Sequence, residues 1–159
     1  MQFISQDGQT FKIGEQALKH CTKVNNTNLE VFNLTGIKSS ILKKVIQYCQ
    51  MHQNVAYIPQ ISKPLKSKAI YDIVDFQDAE FITELDLEEI FQIIQAAEVL
   101  GINALVDLSC AFVALQIRGK SQEQVKLLFK SNKSKTDEEV QRQRDIDSSA
   151  KGEPKQTNY

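Results

Sequence analysis

This sequence predicts an α+β fold, a small β-sheet at the front of the chain followed by packed helices, and three observations predict it. Near the start, two short runs of strand-forming residues flank an Asp7-Gly8 turn signal. After Asp86, apolar residues recur with helical period almost without interruption. The composition, 42% hydrophobic and 25% charged over 159 residues, is that of one ordinary soluble domain with enough chain to build a core without staples.

The elements follow in order. QFIS and TFKI on either side of Gln6-Asp7-Gly8 read as a β-hairpin over residues 2–13. The stretch EQALKHC, from Glu15, consists of helix formers, and the Thr and Asn cluster between Thr22 and Asn28 is expected to stop it. LEVFNL, Leu29 to Leu34, is a further strand candidate. From Ser39, SSILKKVIQYCQMH places Ile41, Leu42, Val45, Ile46 and Cys49 on one helical stripe, with Lys43, Lys44 and Gln47 opposite. Residues 53–71 hold Pro59, Pro64 and three lysines without a lasting period, which reads as a surface loop. From Asp72 to Glu89 the charge reverses, with eight acids and no Lys or Arg; the expected reading is a solvated face, with a docking surface as the alternative.

Capping chemistry marks the later helices. Asp86 with Glu89 forms a capping box, Leu87, Ile90, Phe91, Ile94 and Ala97 run down the helix, and Gly101 closes it. Asn103 is the expected cap of ALVDLSCAFVALQIR, which is apolar around most of its circumference and ends at Gly119. Ser121 and Gln124 pair to open a shorter helix carrying Val125, Leu128 and Phe129 on one side. Thr136 and Glu139 suit a last helix with only Val140 and Ile146 to bury, and residues from Asp147 onward are expected to lack order. The expected organisation is a core over 1–118, a helical extension over 119–146 and a tail over 147–159.

Several function classes are disfavoured. A net charge of -1 gives little pull on nucleic-acid phosphates or on an anionic membrane. No apolar run reaches the roughly 18 residues of a membrane span, and the first residues lack the features of a signal peptide, so cytosol or nucleus is the expected location. Cys21, Cys49 and Cys110 are too scattered for a zinc knuckle or redox motif, and buried, reduced thiols are the simplest reading. A thiol enzyme using one of them with His20 or His52 is the best catalytic candidate, yet Cys49 and Cys110 sit in apolar helical stripes where Cys acts as a small hydrophobe. His20 beside Cys21 supplies two metal ligands where four are needed, and the acids of 72–89 lack the loop spacing of a calcium site. No catalytic residue, metal or cofactor is therefore assigned. What remains is apolar surplus on the late helices, of the kind that meets another protein.

Several segments together resemble the Skp family, the adaptors of Skp, cullin and F-box ubiquitin ligases, whose core is a BTB/POZ fold. The likeness begins at DGQTFKI, becomes specific at ILKKVIQYCQMH (Ile41 to His52), and continues from Asp78 to Phe129. That last stretch carries the family's EF element, its AA-x-x-L and L-x-D-x-x-C helices and its G-K-[ST] turn, here GKSQEQV from Gly119 to Val125. The turn also separates the chain from elongin C, a related adaptor that ends before such helices.

The resemblance implies a non-enzymatic adaptor whose BTB/POZ part meets a cullin and whose late helices clasp an F-box. By position, F-box contact would fall on Cys110, Val113, Ile117, Val125 and Phe129, with Phe91 and Ile94 supporting or bordering the groove. These are the surplus apolar positions already noted. The chain departs from the family where Asn-Tyr usually follows the Ala-Ala pair, at a surface associated with cullin contact. Glu98-Val99 stands there instead, removing an aromatic anchor and adding a carboxylate, a change that can cost more than about 1 kcal/mol at a hot spot. It also lacks the Trp-Cys of the family's final helix, and it replaces an acidic insertion by the short NNTN, Asn25 to Asn28. Two functional readings remain: a cullin-linked F-box adaptor, and a structural subunit of a larger assembly that keeps the clasp without the cullin. A homodimer is equally open.

Overall fold

The computed structural model describes residues 1–129. The chain divides into two compact units at the Arg118–Gly119 link.

In the first unit the hairpin forms as the turn signal dictates. Strand β1 (Gln2–Ile4) pairs antiparallel with β2 (Thr10–Lys12), Phe3 opposite Phe11. Gly8 adopts φ 79°, a left-handed conformation that glycine reaches without strain. Two short helices follow, α1 (Glu15–Leu18) and α2 (Thr22–Asn25). The Thr and Asn cluster thus begins with a helical turn of its own, because Val24 has a fully buried place to fill. Strand β3 (Val31–Asn33) then lies parallel to β1, giving the order β2-β1-β3. Phe11, Phe3 and Phe32 stand side by side across the sheet; Phe3 is fully buried and meets Phe32 edge-on at 6.5 Å.

Helix α3 (Ser39–Met51) buries the expected stripe of Ile41, Leu42, Val45, Ile46 and Cys49, together with Tyr48. Residues 53–69 run without helix or strand to a 3-10 turn, Ile70–Asp72. The acidic stretch is not one continuous solvated face. It contains helix α4 (Phe76–Thr83), and Asp78 is buried where His52 Nε2 lies 2.6 Å from its carboxylate. A buried carboxylate is tolerable when a partner of this kind satisfies it.

Helices α5 (Leu87–Leu100) and α6 (Asn103–Ile117) pack on each other, and α5 packs on α3. Asp86 and Glu89 make the full capping box, at 2.8 and 3.1 Å. Gly101 takes φ 76°, and Ile102 N–H donates back to the Ala97 carbonyl at 2.8 Å. Asn103 does not cap α6: it is the first helical residue, and Ile102, in cap position, offers no side-chain bond. The immediate exit from the Gly101 turn starts the next helix one residue early. In the second unit, residues 122–129 form α7, opened by the Ser121–Gln124 pair, whose two bonds are 3.0 and 3.2 Å. The expected helix at Thr136 and the tail from Asp147 lie outside the described residues. The first unit, a small sheet under packed helices, is a BTB/POZ-like domain in a mixed α+β chain.

Candidate functional site

Helices α5 and α6 each carry apolar residues beyond their buried face. On α5 the buried residues are Leu87, Ile90, Ile93, Ala96, Ala97 and Leu100. The single stripe expected from periodicity merges two faces: Phe91 is 38% exposed and Ile94 half-buried, so neither belongs to the core. Phe91, Ile94 and Glu98 stand at i, i+3 and i+7, one row of the helix. On α6 the buried residues are Leu105, Leu108, Ser109 and Ala111. Cys110, Val113 and Ile117 form another i, i+3, i+7 row; Val113 is half-buried and Ile117 37% exposed. The apolar surface of α6 therefore extends beyond its buried face.

Cys110 departs from the expectation for its thiol. It is exposed, unlike Cys21 and Cys49. Partial burial first, then the Asp107 carboxylate, pushes its thiol above the ordinary range, Lys63 opposing and Glu98 adding to the rise. The α5 carboxylate is thus felt at the α6 row.

Glu98 and Val99 occupy the last turn of α5. Both are exposed, Val99 by 50%, and Lys23 Nζ donates to the Glu98 carbonyl at 2.8 Å. In the second unit, Val125 and Phe129 lie at i and i+4 of α7; Val125 is half-buried and Phe129 38% exposed.

Of the groups weighed for catalysis, His20, His52, Cys21 and Cys49 make contacts inside the fold. His20 Nε2 bonds the His52 carbonyl at 2.8 Å, and the His52 ring is engaged by Asp78. Cys21 and Cys49 are buried with their sulfurs 4.0 Å apart, and that contact, then burial, pushes the Cys49 thiol far up. A thiol held protonated is a poor nucleophile. Among the described residues no three His, Cys, Asp or Glu side chains converge as metal ligands. Sequence reasoning missed the His52–Asp78 pair, because nothing in their spacing of 26 residues links them.

The first unit is thus a BTB/POZ-like sheet and helix unit with apolar residues half-buried or exposed on its last two helices. Comparison with known proteins gives the lineage. Residues 1–54 match the Skp1 family, tetramerisation domain, and residues 103–145 match the Skp1 family, dimerisation domain. The S-phase kinase-associated protein 1 homolog of Tetrahymena thermophila is 33% identical over 144 residues, spanning 87% of this chain and 86% of that protein. SKP1-like protein 4 of Arabidopsis thaliana is 35% identical over 143 residues, 85% of each chain. Suppressor of kinetochore protein 1 of Schizosaccharomyces pombe is 30% identical over 146 residues, 87% of this chain and 89% of that one. The chain belongs to the Skp1 family, the class of ubiquitin-ligase adaptors that its sequence motifs resemble.

Proposed function

We propose that this protein is an adaptor that binds F-box proteins through its late helices and links them to a cullin-RING ubiquitin ligase, with no chemistry of its own. The outward rows of α5 and α6 carry the proposal. Cys110, Val113 and Ile117 lie off the buried face of α6, at positions where the family resemblance puts F-box contact, and Phe91 and Ile94 lie off the buried face of α5, where it puts residues that support or border the groove. Val125 and Phe129 of α7 are the expected remainder of that contact. An apolar row at i, i+3 and i+7 suits a helical partner, whose own apolar stripe it matches in period. The work would be done in the cytosol and nucleus.

Glu98-Val99 favours a second reading. At the end of α5 Val99 stands where an aromatic anchor is expected, and the exposed carboxylate of Glu98 beside it is costly to bury against a cullin unless a basic partner meets it. The protein would then serve as a cullin-independent subunit of a larger assembly.

Affinity purification of the tagged protein from its native cells, followed by mass spectrometry, separates the two. Cullin, a RING subunit and several F-box proteins are the expected recovery. One dominant partner without cullin would replace the ligase reading by the second, and absence of any F-box protein would overturn both.

A further inference from the structure

Cys21 and Cys49 meet in the core of the first unit, and the adaptor role uses neither. They stand 28 residues apart in sequence, yet their sulfurs lie 4.0 Å apart. Both are free thiols, 0% and 1% exposed. A disulfide spans about 2.05 Å, so the two sulfurs have roughly 2 Å still to close.

The backbone around each thiol decides which one moves. Cys49 is held within α3, a 13-residue helix whose hydrogen-bond ladder resists displacement. Cys21 lies outside the helices. It joins α1 to α2, each of four residues, at φ -88° and ψ 76°, and makes no side-chain cap bond. Helices this short add little stability of their own, so the joint opens at a lower free energy than the whole fold.

We propose that Cys21 and Cys49 form a modification site, a thiol pair that hydrogen peroxide converts to a reversible disulfide. Opening of the α1–α2 joint exposes Cys21 first. Its sulfur attacks one peroxide oxygen: an S–O bond forms, the O–O bond breaks, and the thiol proton leaves with the second oxygen as water. Cys49 then attacks the sulfenic acid of Cys21. The S–S bond forms, the S–O bond breaks, and the Cys49 proton leaves in a second water. Each sulfur gives up one electron, and the peroxide takes both. Contact with Cys21, then burial, pushes the Cys49 thiol up, which makes it a poor group for capturing oxidant from solvent but leaves it in place for the second step. Thiol reductants reverse the bond, so in a reducing compartment it is transient.

The end of α5 is coupled to this bond through the two residues after Cys21. Thr22 Oγ1 donates to the Gly101 carbonyl at 2.7 Å, and Lys23 Nζ donates to the Glu98 carbonyl at 2.8 Å. The approach is close, since a Cβ on Gly101 would meet the Lys23 nitrogen at 2.7 Å. Drawing Cys21 towards α3 therefore disturbs the turn that carries Glu98 and Val99.

The test is peroxide treatment of the full chain, quenched with N-ethylmaleimide and followed by mass mapping of unreduced peptides, with amide NMR spectra before and after. The expected product is a linked Cys21–Cys49 peptide, two hydrogen atoms lighter than its parts, that dithiothreitol reverses. Amides of 21–23 and 98–102 should shift with the linkage, and those of β2 should stay in place. In Cys49→Ala, Cys21 should stop at the sulfenic acid and take a dimedone label. If that variant fails to fold, the mapping of the parent decides alone. Both thiols left free while Cys110 oxidises, separate sulfinic acids at Cys21 and Cys49, or a link that forms only in urea would overturn the proposal. A link that leaves 98–102 unshifted would overturn the coupling to α5.

Discussion

Asp7, in the β1–β2 turn, caps a helix that begins 32 residues later: its carboxylate accepts the Ser39 N–H at 2.9 Å and also the Ser39 hydroxyl. Lys38, in cap position, makes no such bond, so the hairpin turn both starts α3 and fixes the sheet against it.

The Ser39 hydroxyl first, then that of Ser5, draws the Asp7 carboxyl down from 3.8 to about 2. A carboxylate lowered in the folded state binds fewer protons there than when unfolded, so its contribution is complete above the ordinary carboxylate range. It is lost as pH falls from about 4 towards 2. Asp7→Asn should lower the melting temperature at pH 7, with the gap to the parent closing at pH 2. Thermal unfolding at both pH values checks this, and a gap independent of pH would contradict it.

Gly101 joins α5 to α6 at φ 76°, and a Cβ there would meet Thr22 Oγ1 at 2.5 Å and the backbone nitrogen of Lys23 at 2.7 Å. Gly101→Ala should therefore cost more than about 2 kcal/mol, from backbone strain and from contact with a main chain that cannot step aside. Adding Thr22→Ala should not restore it. Denaturant unfolding measures both.

Ser109 is fully buried in α6, and its hydroxyl has no hydrogen-bond partner. Ser109→Ala removes a desolvated polar atom without opening a sizeable cavity, so stability should stay level or rise by up to about 1 kcal/mol. A marked loss in unfolding free energy would show that the hydroxyl has a partner in solution.

Cys110 is exposed while Cys21 and Cys49 are buried. In the native state iodoacetamide should modify Cys110 alone, and slowly, since its thiol lies above the ordinary range. Bound F-box protein should protect it. Mass mapping of the alkylated peptides decides both points, and rapid labelling of Cys49 would contradict the described core.

Local chemistry was the legible part of this fold. The Asp7-Gly8 turn, the Asp86–Glu89 box, the Gly101 stop and the Ser121–Gln124 pair each act within a few residues, and each stands where the pattern put it. Parallel pairing of β3 with β1, the burial of Asp78 on His52, and the cap that Asp7 lends to Ser39 join residues remote in sequence, and no period or spacing encodes them. The outward rows were visible as residues but not as faces. Apolar side chains all round a helix do not say which of them are core, so Phe91 and Ile94 read as one stripe with Leu87 and Ile90 until the packing against α6 separated them.

The central claim, that the α6 row receives an F-box, is tested most directly by calorimetric titration of the purified chain and of its Val113→Asp variant with an isolated F-box domain. The account predicts tight binding by the parent and a loss on the order of 100-fold or more for the variant, which buries an unpaired carboxylate in the contact, with the melting profile of the fold retained. Equal affinity for the two proteins, or no binding by the parent, would contradict it.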